Sequence, residues 1–584
     1  MRPVARSFLL AGFAAALVWI PREPVSERKP ASMIFHGGMI LTLDPARPEV
    51  EAVAIRDGRI AALGSRDEVL ALRGPGTRVV DLKGRVLMPS LKDHHLHVLN
   101  IGFAVLNRER REALFLDLSS ATSADEVARR VAARASTLPR GVWIFGISWN
   151  QIRFGTQALP THHVLTQAAP EHPVCLIRVD AHCAWVNAAA LRAAGITADT
   201  PDPYGGKINR TADGQPSGTL LERAAEPVLA QFEQPADPII RDAFRTGLRT
   251  LAAQGLTDVY DAGFLPFPGI VAMNLPLERY YHLLHALDAA DPLPVRVHLM
   301  LPAPSSFADA VVRNPAAFQP SPRLRVTHVK LFADGAFGSR GAAISRPYSD
   351  DPSARGVFRM SAAEIRDWSE RALAAGLDVA THAIGDEAVA RVLDVYEQIL
   401  QARPGLNPRR LRIEHFSWAQ RWEIERAARL GVLLSIQPGF VYPGDDGRIM
   451  EDSRLGPDHL PSAYAWATLE RLGAALAGGS DDLALPQHPL WNFYAAATRK
   501  NPAGIPASGW RPEEKLTRQA SLRLFTDFVR QGGEVARGQL RTDYPADMVI
   551  LSANPLAAPE AQLPSVRLHA TILGGVVTYS DGSI

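Results

Sequence analysis

Five stretches of the 584-residue chain carry metal-ligand residue types. They are Asp93-His94-His95-Leu96-His97, Lys330 in Val-Lys-Leu-Phe-Ala-Asp-Gly, His382 in Ala-Thr-His-Ala-Ile-Gly-Asp, His415 in Arg-Ile-Glu-His, and Asp481 in Gly-Gly-Ser-Asp. Residues i and i+2 of a strand share a face, so His95 and His97 project together and can grip one cation. A lone His-x-His arises readily by chance, and the other four stretches make the pattern specific. Together they predict a metal-dependent hydrolase, in which bound cations make water a nucleophile near neutral pH.

The elements that must position these residues are legible as apolar, β-branched runs. After the strand entering His95, such runs span Gly255 to Gly263, Val295 to Leu301, Leu324 to Asp334, Leu377 to Gly385, Leu411 to Trp418, Gly431 to Pro438 and Ala474 to Asp482. Most intervals between them carry helical patterns, such as Ala362 to Ala375 and Glu387 to Ala402. Eight strands alternating with helices predict an α/β protein, a (β/α)8 TIM-type barrel. The five stretches then belong to strands 1, 4, 5, 6 and 8. Barrel chemistry sits at the C-terminal strand ends, and four of the stretches lie at or near the ends of their runs, with His415 mid-run.

At these residues the chain resembles the amidohydrolase superfamily, and most closely the family-3 (YtcJ-like) amidohydrolases, which include N-substituted formamide deformylase. The resemblance runs from Met33 almost to the C-terminus and extends to Lys330-Leu-Phe-Ala-Asp-Gly-Ala-Phe-Gly-Ser-Arg340, Asp213-Gly-Gln-Pro-Ser-Gly218, His182-Cys-Ala-Trp-Val-Asn187 and Ala546-Asp-Met-Val-Ile-Leu551. It implies that His95, His97 and Asp481 bind a more buried metal and that His382 and His415 bind a more exposed one. Lys330, carboxylated by carbon dioxide, would bridge the two. The chemistry is consistent, because an ammonium repels a dication whereas a carbamate is an oxygen-donor anion. Two zinc ions per chain suit the ligands, and manganese, iron, cobalt or nickel can occupy the same donors.

The resemblance also implies a mechanism. A metal-bridging hydroxide would attack a carbonyl, and Asp481 would take its proton and pass it to the leaving nitrogen. The expected reaction is cleavage of a non-peptide C–N bond in an amide, an N-substituted formamide or a cyclic amide. The same hydroxide would serve a deaminase or an ester or lactone hydrolase, since fold does not choose the bond. A non-catalytic metal-binding scaffold is a third alternative, which loss of a ligand would favour, and none is lost.

Substrate contacts are sought in His182, Arg340 and Trp149, with Trp185 and Phe154 as further aromatic candidates that suggest an apolar N-substituent. Asp334 and Glu414 adjoin ligands and are expected to hold them in place. Two features depart from the family's pattern. The approach to the first strand reads Pro89-Ser90-Leu91-Lys92-Asp93, with serine for the usual glycine and lysine for an apolar residue. His328 shares a strand face with Lys330, where it would fill a lower barrel layer or hydrogen-bond the site.

Charge is balanced, with 63 basic against 61 acidic residues, so no global basic field points to nucleic acid, and a small-molecule substrate is expected. A bare barrel needs only about 250 residues. The remaining length is assigned to a small β-sandwich formed from both chain ends (33–86 and 540–584), beside a barrel domain over 87–539. An insertion over about 103–235, after barrel strand 1, would be a lid or specificity wall. Arg56-Asp57-Gly58 reads as a hairpin turn within the sandwich. Homo-oligomers are compatible with all of this. Residues 1–32 place Arg2 and Arg6 before an apolar run from Ser7 to Ile20, the shape of a signal peptide or membrane anchor. An exported or membrane-anchored enzyme is expected, or a cytoplasmic one if translation starts at Met33. Cys175 and Cys183 do not decide the redox compartment.

Overall fold

The structure, a computed structural model, describes residues 29–584 apart from 111–113, 157, 233, 264–274, 319–320, 444–447, 483–487 and 537. The apolar run from Ser7 to Ile20 therefore lies outside the described residues, among which no helix is long and apolar enough to cross a membrane.

Eight parallel strands form one sheet: β1 (Leu91–Leu96), β2 (Leu256–Asp261), β3 (Arg296–Pro302), β4 (Leu324–Phe332), β5 (Asp378–Ala383), β6 (Leu411–His415), β7 (Leu433–Ile436) and β8 (Ala475–Gly478). Their order around the sheet is sequential, and the chain leaving β8 returns to β1, where the Asp481 N–H donates to the His95 carbonyl at 2.7 Å. Helices such as Asp237–Ala252, Ala362–Ala374, Asp386–Ala402 and Arg421–Leu430 cover the outside, each burying an apolar stripe. This is the expected (β/α)8 barrel. Most strands end a few residues before their runs: the sixth, expected through Trp418, stops at His415, and the eighth, expected through Asp482, stops at Gly478. His415 and Phe416 have φ of 74° and 45°, which no strand can continue through. His415 is therefore a strand-end residue like the other candidates.

Both chain ends meet in a second sheet of eight strands. Met33–Leu41 sits centrally, paired with Glu49–Arg56 on one side and Val86–Pro89 on the other, and Met548–Leu551, Leu568–Leu573 and Val576–Ser580 extend it. The strands form one continuous hydrogen-bonded network, which encloses its own apolar cluster of Phe35, Val53, Ile55, Leu87, Ile550 and Ile572. The turn between Glu49–Arg56 and Arg59–Gly64 places Asp57 and Gly58 at φ 51° and 73°, the double left-handed geometry that a two-residue hairpin requires.

A third sheet, of six strands between Leu116–Asp117 and Pro216–Glu222, forms the insertion. Phe103 does not open it. That residue is buried within helix Val98–Glu109, which packs along Asp237–Ala252 as part of the barrel's outer layer. The insertion carries its own core, in which Trp149 and Trp185 meet edge to face at 5.6 Å.

Candidate metal centre

The parallel register brings the candidate ligands to one end of the barrel. Phe332 of β4 pairs with His382 of β5, and His382 and Ala383 pair with Glu414 and His415 of β6. His97 is the first residue beyond β1 and caps helix Val98–Glu109. Asp481 follows β8 in a left-handed conformation, φ 53°. Gly479 permits this close approach, since a Cβ there would meet the His95 backbone nitrogen at 2.7 Å. Asp93 fastens the same junction by accepting from the backbone N–H groups of His95 at 2.9 Å and Ser480 at 3.1 Å. Burial pushes the Asp93 carboxyl up to about 7.

Each of the four histidines has one ring nitrogen held by an oxygen. His95 Nδ1 lies 2.5 Å from Glu414 Oε2, His97 Nδ1 2.8 Å from the Gly263 carbonyl, His382 Nε2 3.1 Å from the Gly335 carbonyl, and His415 Nδ1 2.9 Å from Gln437 Oε1. An oxygen acceptor on one nitrogen fixes the proton there and leaves the other nitrogen's lone pair for a metal, as in metal-binding histidines generally. On the freed sides, His97 Nε2 stands 3.2 Å and His95 Nε2 3.5 Å from Asp481 Oδ1, and Lys330 Nζ stands 3.4 Å from His95 Nε2. Donor atoms of His95, His97 and Asp481 lie within 4.8 Å of one another, and the His95 and His382 rings lie 4.9 and 4.5 Å from the ring of His415.

The electrostatics favour metal binding. Burial pushes His95 down to about 4 and His415 down to about 3, and burial, followed by the repulsion that a protonated His415 would exert, takes His382 well below its usual range. These imidazoles are neutral and able to ligate. Burial alone would raise Asp481, but His95, His97 and His415 hold it well below the ordinary carboxylate range, so it is an anion. Burial lowers the Lys330 ammonium to about 8, although Glu414 and Asp481 favour its charge. Glu414, fully buried, is kept ionised by Arg412 and His95 against the cost of burial. Nitrogen and oxygen donors, neutral rings and an anionic carboxylate converging on one point fit a divalent cation.

A cavity of about 1070 Å³ opens over this cluster and is lined by His382, His415 and Asp481 together with His182, Phe337 and Phe440. His182, from the insertion, gives its Nδ1 to Glu222 Oε1 at 2.8 Å, and its ring lies 5.4 Å from that of His382. Burial would lower His182, but the Glu222 charge and hydrogen bond outweigh it and raise the imidazole above its usual range. Asp334 does hold the site together. It accepts from the N–H groups of Ala343, Ile384 and Gly385 at 2.9 to 3.1 Å and lies 3.4 Å from His382 Nε2.

Several candidates fall elsewhere. Arg340 grips Asp350 through two bonds of 3.1 and 3.2 Å and is not among the cavity's lining residues. Trp149 is wholly buried in the insertion's core, its indole N–H on the Leu176 carbonyl at 2.9 Å, so its size serves packing. The apolar wall expected from the insertion's tryptophans comes instead from loops after β4, β7 and β8, through Phe337, Phe440, Tyr442, Ile449, Met450 and Trp510. His328 lies in a lower barrel layer, edge-on to Tyr260 at 5.6 Å and bonded to Thr327 Oγ1. Lys92 reaches Asp258 at 3.8 Å, as part of the polar filling of the barrel's opposite end. Sequence reasoning missed Gln437 and Glu222, although Gln437 is the penultimate residue of the seventh predicted strand and Glu222 lies four residues beyond the Asp213–Gly218 motif.

Comparison with known proteins agrees with this geometry. The sequence model of the family described as Amidohydrolase family matches residues 78–579. The YtcJ protein of Bacillus subtilis (strain 168), an amidohydrolase by name, is 33% identical over 552 residues, covering 94% of this chain and 99% of that one. The N-substituted formamide deformylase of Arthrobacter pascens is 28% identical over 558 residues, covering 92% and 97%. Among solved structures, an uncharacterized metal-dependent hydrolase from Pyrococcus horikoshii OT3 superposes with a TM-score of 0.66 at 25% identity, covering 90% of this chain and 99% of that one. The chain belongs to the amidohydrolase family and is a hydrolase of that metal-dependent superfamily.

Proposed function

We propose that the protein hydrolyses a non-peptide C–N bond in an amide, N-substituted formamide or cyclic amide that bears an apolar group on nitrogen. The observation that carries this reading is the cavity itself, in which His382, His415 and Asp481 form the floor and Phe337, Phe440, Ile449, Met450 and Trp510 form an apolar wall. A polar reactive centre beneath an apolar wall suits an amide whose carbonyl meets the floor while its substituent leaves water. The name of the Arthrobacter pascens relative, N-substituted formamide deformylase, supports the same bond.

His95, His97, Lys330 and Asp481 would hold one zinc ion, and His382 and His415 with Lys330 a second. Such ions supply hydroxide at neutral pH and polarise an oxygen bound to them. The chain's own residues do the rest. Asp481, held ionised beside three histidines, accepts the proton released as water adds to the carbonyl carbon and returns it to the nitrogen as the C–N bond breaks. Burial makes the Lys330 amine available for carbon dioxide, because a nitrogen lowered to about 8 is partly neutral at cellular pH. Addition of carbon dioxide converts the amine to an anionic carbamate and releases one proton. His97 and His95 are kept in their ligating orientation by Gly263 and Glu414.

The test combines metal content by mass spectrometry, for the wild type and Lys330→Ala, with turnover of formanilide, N-alkylformamides and cyclic amides. About two metals per chain, reduced sharply in the variant, together with amide turnover, is the expected result. Release of ammonia from aminopurines without amide cleavage would assign deamination instead, and one metal unaffected by Lys330→Ala would remove the lysine from the site.

A further inference from the structure

We infer that the barrel carries a second ligand site at the mouth opposite the metal centre, a preformed basic cavity that binds a small polyvalent oxyanion through its phosphate or carboxylate groups.

The cavity, of about 1080 Å³, lies where the barrel strands begin. Lys92 is the second residue of β1, Arg296 the first of β3 and Arg325 the second of β4, and all three line it. Because the strands are parallel, their starts converge at one end and the candidate metal ligands at the other, and the two cavities share no lining residue. The sheet built from both chain ends and a hairpin complete the walls. The hairpin pairs Phe528–Val529 with Val535–Ala536 and is tied across the mouth at three points. The Tyr260 hydroxyl donates to the Val529 carbonyl, Gln531 Nε2 to the Gly376 carbonyl at 2.8 Å, and the Gly532 N–H to Asp378 Oδ2 at 2.8 Å. Such tethers hold the cavity's shape ahead of binding, which lowers the ordering cost of a ligand.

Charge selects that ligand. Over the whole chain basic and acidic residues nearly balance, 63 against 61, but eight arginines and lysines line the cavity against four aspartates and glutamates. Asp378 and Asp44, which pair with Arg410 and Arg541 from outside the lining, still leave an excess of two positive charges. Three guanidinium groups have no carboxylate partner among the described residues. Arg59 donates to the Asp543 carbonyl at 2.7 Å, Arg323 donates to the Leu293 carbonyl, and the Arg325 side chain has neither a hydrogen bond nor an ion pair.

Lys92 forms the base of the cavity. It is buried, with Nζ 3.3 Å from Ser90 Oγ and 3.8 Å from Asp258 Oδ2. Asp258 is shared, since Arg296 stands 3.2 Å from its Oδ2 and His298 Nε2 3.2 Å from its Oδ1. One carboxylate thus answers three groups, and 3.8 Å is too long for a hydrogen bond, so the ammonium keeps N–H groups for an anion. Burying an ammonium is costly unless a negative group accompanies it. Guanidinium forks each place two N–H groups on two oxygens, which is the pattern of phosphate and carboxylate recognition. Engaging both the buried lysine and the arginines around it takes more than one negative group, and the volume suits a metabolite-sized molecule. The excess is confined to a concavity of a chain that is otherwise balanced, which favours a small anion over nucleic acid.

The experiment titrates the metal-loaded full chain by calorimetry with pyrophosphate, a source of phosphate groups, and with tricarballylate, a source of carboxylates, at low and high salt. The proteins are wild type, Arg325→Gln, the double variant Arg323→Gln with Arg325→Gln, and Lys92→Met. Metal content is measured before and after each titration, because both anions also bind metal ions. The expected result is binding that leaves metal content unchanged and weakens with salt. Arg325→Gln, at an exposed position that spares the fold, should lower affinity about threefold. The double variant should lower it about tenfold or more. The anion should also raise the thermal midpoint of the wild type more than that of either variant, since it binds only the folded chain. The anion that binds more tightly identifies phosphate or carboxylate as the natural group. Equal affinity in wild type and the double variant would overturn the site, as would no binding of either anion by the wild type or tighter binding of a single-stranded oligonucleotide. If Lys92→Met does not fold, the arginine variants still decide. No readout is turnover, so the outcome is independent of the proposed hydrolysis.

Discussion

Removing the charge of Glu414 should uncouple the metal centre's support from its ligands. The side chains of Glu414 and Arg412 are 0% and 1% exposed, so no solvent screens the pair, and Glu414 Oε2 also lies 2.5 Å from His95 Nδ1. Glu414→Gln keeps the shape and one acceptor for His95 but leaves Arg412 a buried cation without its counter-ion. Breaking a buried pair from one side costs about 3 to 5 kcal/mol. Arg412 also donates to Ser435 Oγ at 3.1 Å and to the His94 carbonyl, which places the expected loss at the lower end, about 3 kcal/mol. Weakening the partner of a ligating histidine lowers metal affinity about 10- to 100-fold. The two effects separate in a double variant. Arg412→Met with Glu414→Gln removes the orphaned cation and should recover most of the stability, but not the metal affinity, because His95 still lacks its carboxylate. Denaturant midpoints of the metal-free proteins report the first quantity, and competition with a zinc chelator reports the second. A Glu414→Gln protein with zinc affinity within threefold of wild type would refute the reasoning, as would a double variant no more stable than the single one.

Gly479→Ala should destabilise the fold by about 1 to 3 kcal/mol and lower metal content, because the new methyl would press on the His95 backbone at 2.7 Å; wild-type metal content would contradict this. In the metal-free protein, Lys330 titrates near 8 when folded and near its ordinary 10.5 when unfolded. Between these values the unfolded chain binds the extra proton, so stability should rise with pH across that window, by about 3 kcal/mol at most. Lys330→Met should abolish that rise in a denaturant series from pH 7.5 to 10.5, and an unchanged slope would assign it to other groups. Phe440 stacks on His415 at 5.8 Å in the apolar wall, and Phe440→Ala should raise KM for formanilide about tenfold relative to N-methylformamide. An equal change for both substrates would remove Phe440 from the substituent's pocket.

The candidate ligands and the barrel were readable in the residues because both rest on local rules. Alternation places His95 and His97 on one face, and eight β-branched runs separated by helical patterns leave few topologies other than a parallel barrel. Glu414 and Asp334 were readable as supports because they adjoin ligands in sequence. His415 was placed inside its run rather than at its end because a left-handed φ at a non-glycine residue leaves no trace in composition.

Trp149 and Arg340 show where local rules stop. Their residue types suit a substrate pocket, yet tertiary packing turns Trp149 into the insertion's core and commits Arg340 to Asp350. His182 and Glu222 lie 40 positions apart, the first just before strand Cys183–Val186 and the second ending strand Pro216–Glu222, and which carboxylate meets which ring depends on the pairing of strands distant in sequence. By itself, then, the sequence determined which side chains could hold metal and which strands would carry them, since residue chemistry and strand period are local properties. Only the tertiary structure decided which nitrogen of each histidine is free, which loops wall the cavity and how the insertion reaches the site, because each depends on long-range contacts closed by burial.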